Sequence, residues 1–193
     1  MNIKVLLTGF TPFGRNAVNP SWEAVKLVQA FDGMELHRLD IPTVFGKSAQ
    51  ILEEALENIE PDLVLCVGLA AARDTICLER IAVNISDAKS PDNEGNVPHN
   101  KVIRLDGPVA YWSNLPCEKL VAALEEEDIP ARLSFSAGTF VCNHVFYSLM
   151  YLIDTKYPQM TGGLAHIPST TVLPLDTVAR GLEVILRMCC QSR

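Results

Sequence analysis

Apolar residues along the chain fall into two kinds of run, and the two kinds alternate. Continuous apolar runs occur in IKVLLTG near the amino terminus, in DLVLCVGL from Asp62 and in GGLAHIP from Gly162. These have the composition of strands buried on both faces of a sheet. Between them lie segments with helical periodicity. GKSAQILEEALENI puts Ile51, Leu52, Ala55, Leu56 and Ile59 on one side of a helix. NPSWEAVKLVQAF opens with Asn19 as a cap and Pro20 at the first helical position. MELHRLDIP, ICLERIAVNI and ARLSFS read as further strands. Pro116 to about Glu127, CNHVFYSLMYLIDTKY and LDTVARGLEVILRMCC read as helices, and a polar loop runs from about Ser86 to Pro108. Strands alternating with helices require crossover connections. The expected class is α/β, a three-layer α/β/α sandwich with a mostly parallel central sheet, its site at the carboxyl ends of the strands.

Composition narrows the function. At 193 residues the chain is expected to form one domain over residues 1–193. Its net charge of -7 argues against nucleic acid or an anionic membrane as partner. The amino-terminal apolar run is too short for a signal-peptide core, and no stretch approaches membrane-spanning length. The six cysteines show no C-x-x-C spacing, so reduced thiols in a cytoplasm are expected. GFTPFG lacks the glycines and lysine of a phosphate loop, no two histidines have metal-ligand spacing, and the acids of DNEGN do not complete a calcium loop. No cofactor and no metal are implied.

Chemistry concentrates at AGTFVCNHVFYSLMYL. Ala137-Gly138-Thr139 reads as the turn after a strand, so Cys142 falls at the start of a helix. Unpaired N–H groups and the positive dipole end there favour thiolate and suit an oxyanion. An inert packed thiol is the competing reading. His144 is excluded as its base, because two residues on a helix are about 200° apart around the axis. Of the other histidines, His37 reads as a surface strand residue and His99 as a solvated loop residue, while His166 ends an apolar strand. Glu79 interrupts ICLERIAVNI, where a carboxylate is costly unless paired. Arg80 points to the opposite face of the strand, so a histidine such as His166 is the better partner. Cys142, His166 and Glu79 form a triad hypothesis from three separate segments, which spacing alone does not bring together.

Those three segments, GLAAARDTICLERIAVN, SAGTFVCNHVFY and LAHIP, with GFTPFG ahead of them, resemble the pyroglutamyl peptidase I family of cytoplasmic cysteine exopeptidases. The resemblance runs over nearly the whole chain. It implies removal of an N-terminal pyroglutamyl residue from peptides, with Cys142 as nucleophile, His166 as base and then acid, and Glu79 as the orienting carboxylate. It places Phe10 and Phe13 in the substrate pocket, where residue pattern alone reads them as core. Asn19 and Leu69 are further pocket positions, and Phe140 and Val141 beside the nucleophile are expected to contribute. It also implies a homo-tetramer. Two departures stand out. The family typically has Gly-Gln-Ala-Gly-Gly-Arg where this chain has Gly68-Leu69-Ala70-Ala71-Ala72-Arg73, and Leu69 cannot hydrogen-bond a lactam. It commonly has an arginine near the oxyanion where this chain has Lys89, which keeps the charge without the planar fork, so Lys89 and the Cys142 amide are the expected oxyanion support. A thiol amidase acting on another small acyl group, or a binding protein without turnover, are the alternatives these departures leave open.

Overall fold

The computed structural model describes residues 2–14 and 17–191. Its elements, in chain order, are β1 (Ile3–Phe10), α1 (Pro20–Leu27), β2 (Met34–Ile41), α2 (Lys47–Ile59), β3 (Leu63–Leu69), β4 (Ile76–Glu79) and β5 (Ile81–Val83). They continue as β6 (Ala110–Trp112), α3 (Cys117–Glu126), β7 (Ala131–Ser134), α4 (Val141–Thr155), β8 (Thr161–Ile167) and α5 (Leu175–Gln191). Six strands form the main sheet in the order β2-β1-β3-β8-β4-β7. β1 is parallel to β2 and β3, and β3 is parallel to β8. β4 runs antiparallel to β8 and carries β7 parallel to itself.

Alternation along the strands sorts the core into two layers. Val5 and Leu7 of β1, Leu65 and Val67 of β3, Ile76 and Leu78 of β4, and Ala165 and Ile167 of β8 pack with the apolar sides of α1, α3 and α5. Leu6, Phe10, Val64, Cys66 and Leu164 face the other way, onto α2 and α4. Both faces of the sheet are therefore covered, which is why these strands read as continuous apolar runs. The α/β/α sandwich expected from the sequence is the architecture observed. Asn19 caps α1 as expected, its side chain accepting from the Ser21 N–H, with Pro20 in the first turn.

One segment differs from its sequence reading. ICLERIAVNI forms two strands rather than one, broken at Arg80. β4 stays in the main sheet, while β5 leaves it and pairs antiparallel with β6 in a separate ribbon. The Arg80 backbone is held at the break, its N–H donating to the Ser134 carbonyl and its own carbonyl accepting from the Ser113 N–H. Its side chain reaches Glu118 of α3 at 3.1 Å, on the face away from Glu79, as alternation predicts.

Alternation also decides where the polar residues of the sheet point. His166 lies on the same face of β8 as Leu164, and Glu79 on the face of β4 opposite to Leu78. Both therefore project toward α4, whose first turn carries Cys142.

Candidate functional site

Cys142 is the second residue of α4, directly after Val141. Phe140, before the helix, is extended and makes no side-chain cap, and the first intrahelical bond runs from the His144 N–H to the Phe140 carbonyl. The N–H groups of Val141, Cys142 and Asn143 precede the helical ladder and form a donor cluster around the thiol. Asn143, fully buried, pins this end of the helix in place. Its Nδ2 donates to the carbonyls of Val83 and Ile85 at 2.9 and 3.0 Å, and its Oδ1 accepts from the Val83 N–H.

Gly68 of β3 sits across from Cys142. It pairs with His166 in the sheet, so the two residues share a face. A Cβ at Gly68 would lie 3.0 Å from Cys142 Sγ and 3.1 Å from His166 Nε2. The two atoms thus face each other across the space this glycine leaves open, no further apart than the sum of those distances. His166 in turn contacts Glu79, Nδ1 to Oε1, at 2.7 Å. Cys77 pairs with His166 across the antiparallel ladder, and Glu79 is two residues further along the same face, the diagonal position.

Glu79 has no solvent exposure. Burial, the largest influence on its carboxyl, acts to raise it. The hydrogen bond and charge of His166, followed by the Ser134 hydroxyl and Arg73, outweigh burial and hold the group below the usual carboxylate range. An ionised carboxylate only accepts, so the proton of the neutral imidazole is on Nδ1 and the lone pair of Nε2 faces Cys142. Arg73 Nη1 lies 2.8 Å from the same Glu79 oxygen, an ion pair without an aligned hydrogen bond.

Cys142 differs from its sequence expectation. The residue keeps some exposed surface, but protein atoms enclose its thiol, and burial pushes it up to about 12. The charges of Cys66 and Glu79 act the same way, while the Cys142 amide and Arg73 oppose them and lose. The helix terminus favours thiolate, yet desolvation wins in the free protein. The resting thiol is therefore protonated, and nucleophilic attack requires a base to take the proton as the new bond forms.

A cavity of about 150 Å³ opens at Cys142, lined by Phe10, Phe13, Val18, Asn19, Thr43, Leu69, Phe140 and Cys142. None of these side chains is charged at neutral pH. The Phe13 and Phe140 rings meet edge-on with centroids 5.3 Å apart, and Phe45 backs Phe140 at 5.2 Å. The Asn19 side chain is already engaged: Oδ1 accepts from the Ser21 N–H and hydroxyl, and Nδ2 donates to the Thr11 carbonyl.

The structure thus brings Cys142, His166, Glu79, Phe10, Phe13, Asn19, Leu69 and Phe140 to one place. It separates two other candidates from it. Val141 is fully buried in the core beneath α4 and does not line the cavity. Lys89 is exposed on the loop that follows β5 and is not among the lining residues. His144 points elsewhere, as expected: Nδ1 is 2.9 Å from the Ser86 hydroxyl and Nε2 accepts from the Gly46 N–H. Burial, then the charge of Arg104, lowers it to about 4, so it is a neutral packing residue. Sequence reasoning assigns no role to Arg73, Val18, Thr43 or Asn143; the match of Arg73 to the arginine that ends the Gly-Gln-Ala-Gly-Gly-Arg motif is the one signal that could have found any of them.

The family model described as "Pyroglutamyl peptidase" matches residues 3–191. A pyrrolidone-carboxylate peptidase of Streptococcus pneumoniae is 45% identical, over 95% of this chain and 91% of the relative. One from Thermosipho africanus is 52% identical over 86% of this chain and 82% of its own. Among solved structures, pyroglutamyl peptidase I from Bacillus amyloliquefaciens superposes with a TM-score of 0.91 at 45% identity, covering 96% of this chain and 93% of that one. A mutant pyrrolidone carboxyl peptidase from Pyrococcus furiosus gives a TM-score of 0.94 at 35% identity, covering 98% and 99%.

Two outcomes follow from the geometry. With iodoacetamide as probe, His166→Ala slows alkylation of Cys142 at neutral pH on the order of a hundredfold, because a protonated thiol has lost its base. The rate then climbs as pH rises toward 12, where burial no longer keeps the thiol neutral. Equal rates in both proteins at neutral pH would show a thiolate already present. Gly68→Ala puts a methyl between Sγ and Nε2 and lowers alkylation by roughly 10²-fold, whereas melting temperature, read by calorimetry, falls only by a few degrees.

Proposed function

The chain belongs to the pyroglutamyl peptidase family, and from that premise we propose that Cys142, His166 and Glu79 are the catalytic residues of a cysteine exopeptidase that removes an N-terminal pyroglutamyl residue from peptides. The observation that carries the assignment is the continuous line from a buried carboxylate through an imidazole to a thiol at the mouth of an uncharged, aromatic-walled cavity.

The steps use only groups already placed. The lactam ring enters the cavity beside Phe10, Phe13 and Phe140, and the exocyclic carbonyl carbon that links the pyroglutamyl group to the peptide meets Cys142 Sγ. His166 Nε2 takes the thiol proton as the carbon–sulfur bond forms. Glu79 accepts from Nδ1–H throughout and stabilises the imidazolium. The oxyanion of the tetrahedral intermediate lies against the free N–H groups of the first turn of α4, with the helix dipole behind them. His166 then protonates the leaving amine, the carbon–nitrogen bond breaks, and a thioester remains. Water, deprotonated by His166, attacks the thioester, releases pyroglutamate and restores the thiol. The exposed position of Lys89 favours the backbone N–H groups over that side chain as oxyanion support.

The reading extends to setting and assembly. Cys66, Cys77, Cys117 and Cys142 are free thiols, which supports a reducing compartment, and we place the protein in the cytoplasm. Among the described residues no helix is long and apolar enough to cross a membrane. A homo-tetramer fits the exposure of Leu105 and Val109, at 95% and 88%, on the loop before β6. Sedimentation should give a mass of four chains, and a monomer that is fully active would overturn the assembly.

The decisive assay is release of a chromogenic amine from its pyroglutamyl amide, with Cys142→Ser and a matched prolyl amide alongside. Turnover by the wild type is expected, lost in Cys142→Ser and absent with the prolyl compound, whose ammonium has no counter-charge in the cavity. A folded, reduced wild-type protein without turnover would reject the substrate assignment.

A further inference from the structure

Among the described residues, Arg73 is a charged side chain against the Glu79 carboxylate that the mechanism leaves unused. A turn after β3 brings it back to the site: the Ala70 N–H donates to the Ile167 carbonyl, and the Arg73 N–H donates to the Ala70 carbonyl. The guanidinium then does two things. Nη1 stands 2.8 Å from Glu79 Oε1, the same oxygen that accepts from His166. Nη2 donates to the Ser136 carbonyl at 2.8 Å, tying the turn to the segment that leads into α4. Its side chain is 19% exposed and that of Glu79 not at all, so solvent screens this ion pair little.

We propose that Arg73 is a positioning residue of the active site that shares the Glu79 carboxylate with His166 and so limits how tightly the histidine–glutamate pair holds a proton. This rests on the assignment of Cys142, His166 and Glu79 as the catalytic set.

His166 and Arg73 make opposing demands on one carboxylate. Glu79 facing His166 alone would stabilise imidazolium strongly at this depth. A base that stays protonated near neutral pH cannot take the thiol proton. A second cation on the same oxygen offsets part of the carboxylate charge, weakens the hold on that proton, and keeps Nε2 free to act. It also keeps the carboxylate ionised against its burial, for which Arg73 and His166 both act. The other groups around the pair are neutral or directed away. Cys142 and Cys66 face it as thiols held protonated by burial, and Ser134 of β7 offers a hydroxyl. Cys77 on the same face of β4 takes a contact from Arg132 Nε at 3.4 Å, and that arginine leans out to the exposed Asp74. Arg80 is spent on Glu118 across the sheet. No other cation is placed to do what Arg73 does among the described residues.

The test is the pH dependence of Cys142 alkylation by iodoacetamide, followed by mass spectrometry of the Cys142 peptide. It needs no substrate, so its outcome is independent of whether the pyroglutamyl amide turns over. Arg73→Met removes both charge and tether. Arg73→Gln removes the charge but retains an amide that can reach the Ser136 carbonyl, and it carries the test where the methionine variant fails to fold. In both, the acid limb of the profile moves to higher pH by roughly half a unit to one unit, since the pair now holds its proton more tightly. Arg73→Lys restores the limb to within a few tenths of a unit, and Glu79→Gln moves it to lower pH. Limbs in the methionine and glutamine variants that coincide with the wild type, or that move to lower pH, would overturn the proposal. Lowered melting temperature with an unmoved limb would likewise reduce Arg73 to a structural tie. A limb that moves as expected in a protein that fails to release pyroglutamate would uphold Arg73 while rejecting the substrate.

Discussion

Burying an ionised carboxylate inside a sheet is the constraint from which the rest of this site follows. Glu79 has no exposed surface, and an uncompensated charge at that depth costs several kcal/mol even after relaxation. His166 at 2.7 Å and Arg73 at 2.8 Å compensate it. Each compensation fixes more of the structure. The hydrogen bond to His166 sets the imidazole tautomer and turns Nε2 toward Cys142. The ion pair to Arg73 folds the GLAAAR turn back over the end of β3. Arg80, next along the strand, points to the opposite face by alternation. The chain breaks at that residue, β5 leaves the main sheet, and the guanidinium goes to Glu118 on the far side.

The same enclosure governs reactivity. Two effects compete at Cys142: the helix terminus favours thiolate, and the surrounding protein disfavours it. Burial prevails, so Cys142 rests as a thiol, and in the proposed mechanism its activation is tied to His166. Proximity then matters more than resting charge. Gly68 supplies it by omission, since any side chain at that position would stand between sulfur and nitrogen. The glycine of DLVLCVGL is thus required by the close approach of these two side chains rather than by backbone conformation.

The sheet is legible because its strands are apolar on both faces, and two of the candidate site residues are legible because each is polar within or at the end of an apolar run. Glu79 inside ICLERIAVNI and His166 at the end of GGLAHIP are conspicuous for that reason. What stayed hidden depends on register and direction. The break at Arg80 leaves the period of two unchanged on either side, so pattern cannot reveal it. The antiparallel course of β4 beside β8 sets Glu79 diagonal to His166, and that is a property of pairing. Arg73 follows three alanines in a loop, where no periodicity says what a cation will meet. Val141 lies off the cavity because adjacency to Cys142 in sequence is not adjacency in space: the first residue of the helix packs into the core while the second borders the cavity. The fate of the thiol required knowing how many atoms enclose it, which no spacing encodes.

The cavity itself limits what it can select. With Oδ1 of Asn19 accepting twice and Nδ2 already donating to Thr11, that side chain has one amide hydrogen left for a ligand. Thr43 makes only a long contact to the Thr11 carbonyl, at 3.4 Å. Leu69 adds none, so side chains offer a lactam little hydrogen bonding and its polar edge must meet backbone groups. Selection therefore works chiefly by exclusion. An ordinary amino terminus brings an ammonium group into a cavity with no carboxylate in its lining, and its desolvation there is costly. A lactam of similar shape carries no charge, and on the proposed assignment the Phe13 and Phe140 rings wall the cavity it enters. On the proposed assignment, the leucine at position 69 shifts recognition further from hydrogen bonding toward neutrality and shape, and the uncharged side chains among the described lining residues become its main instrument.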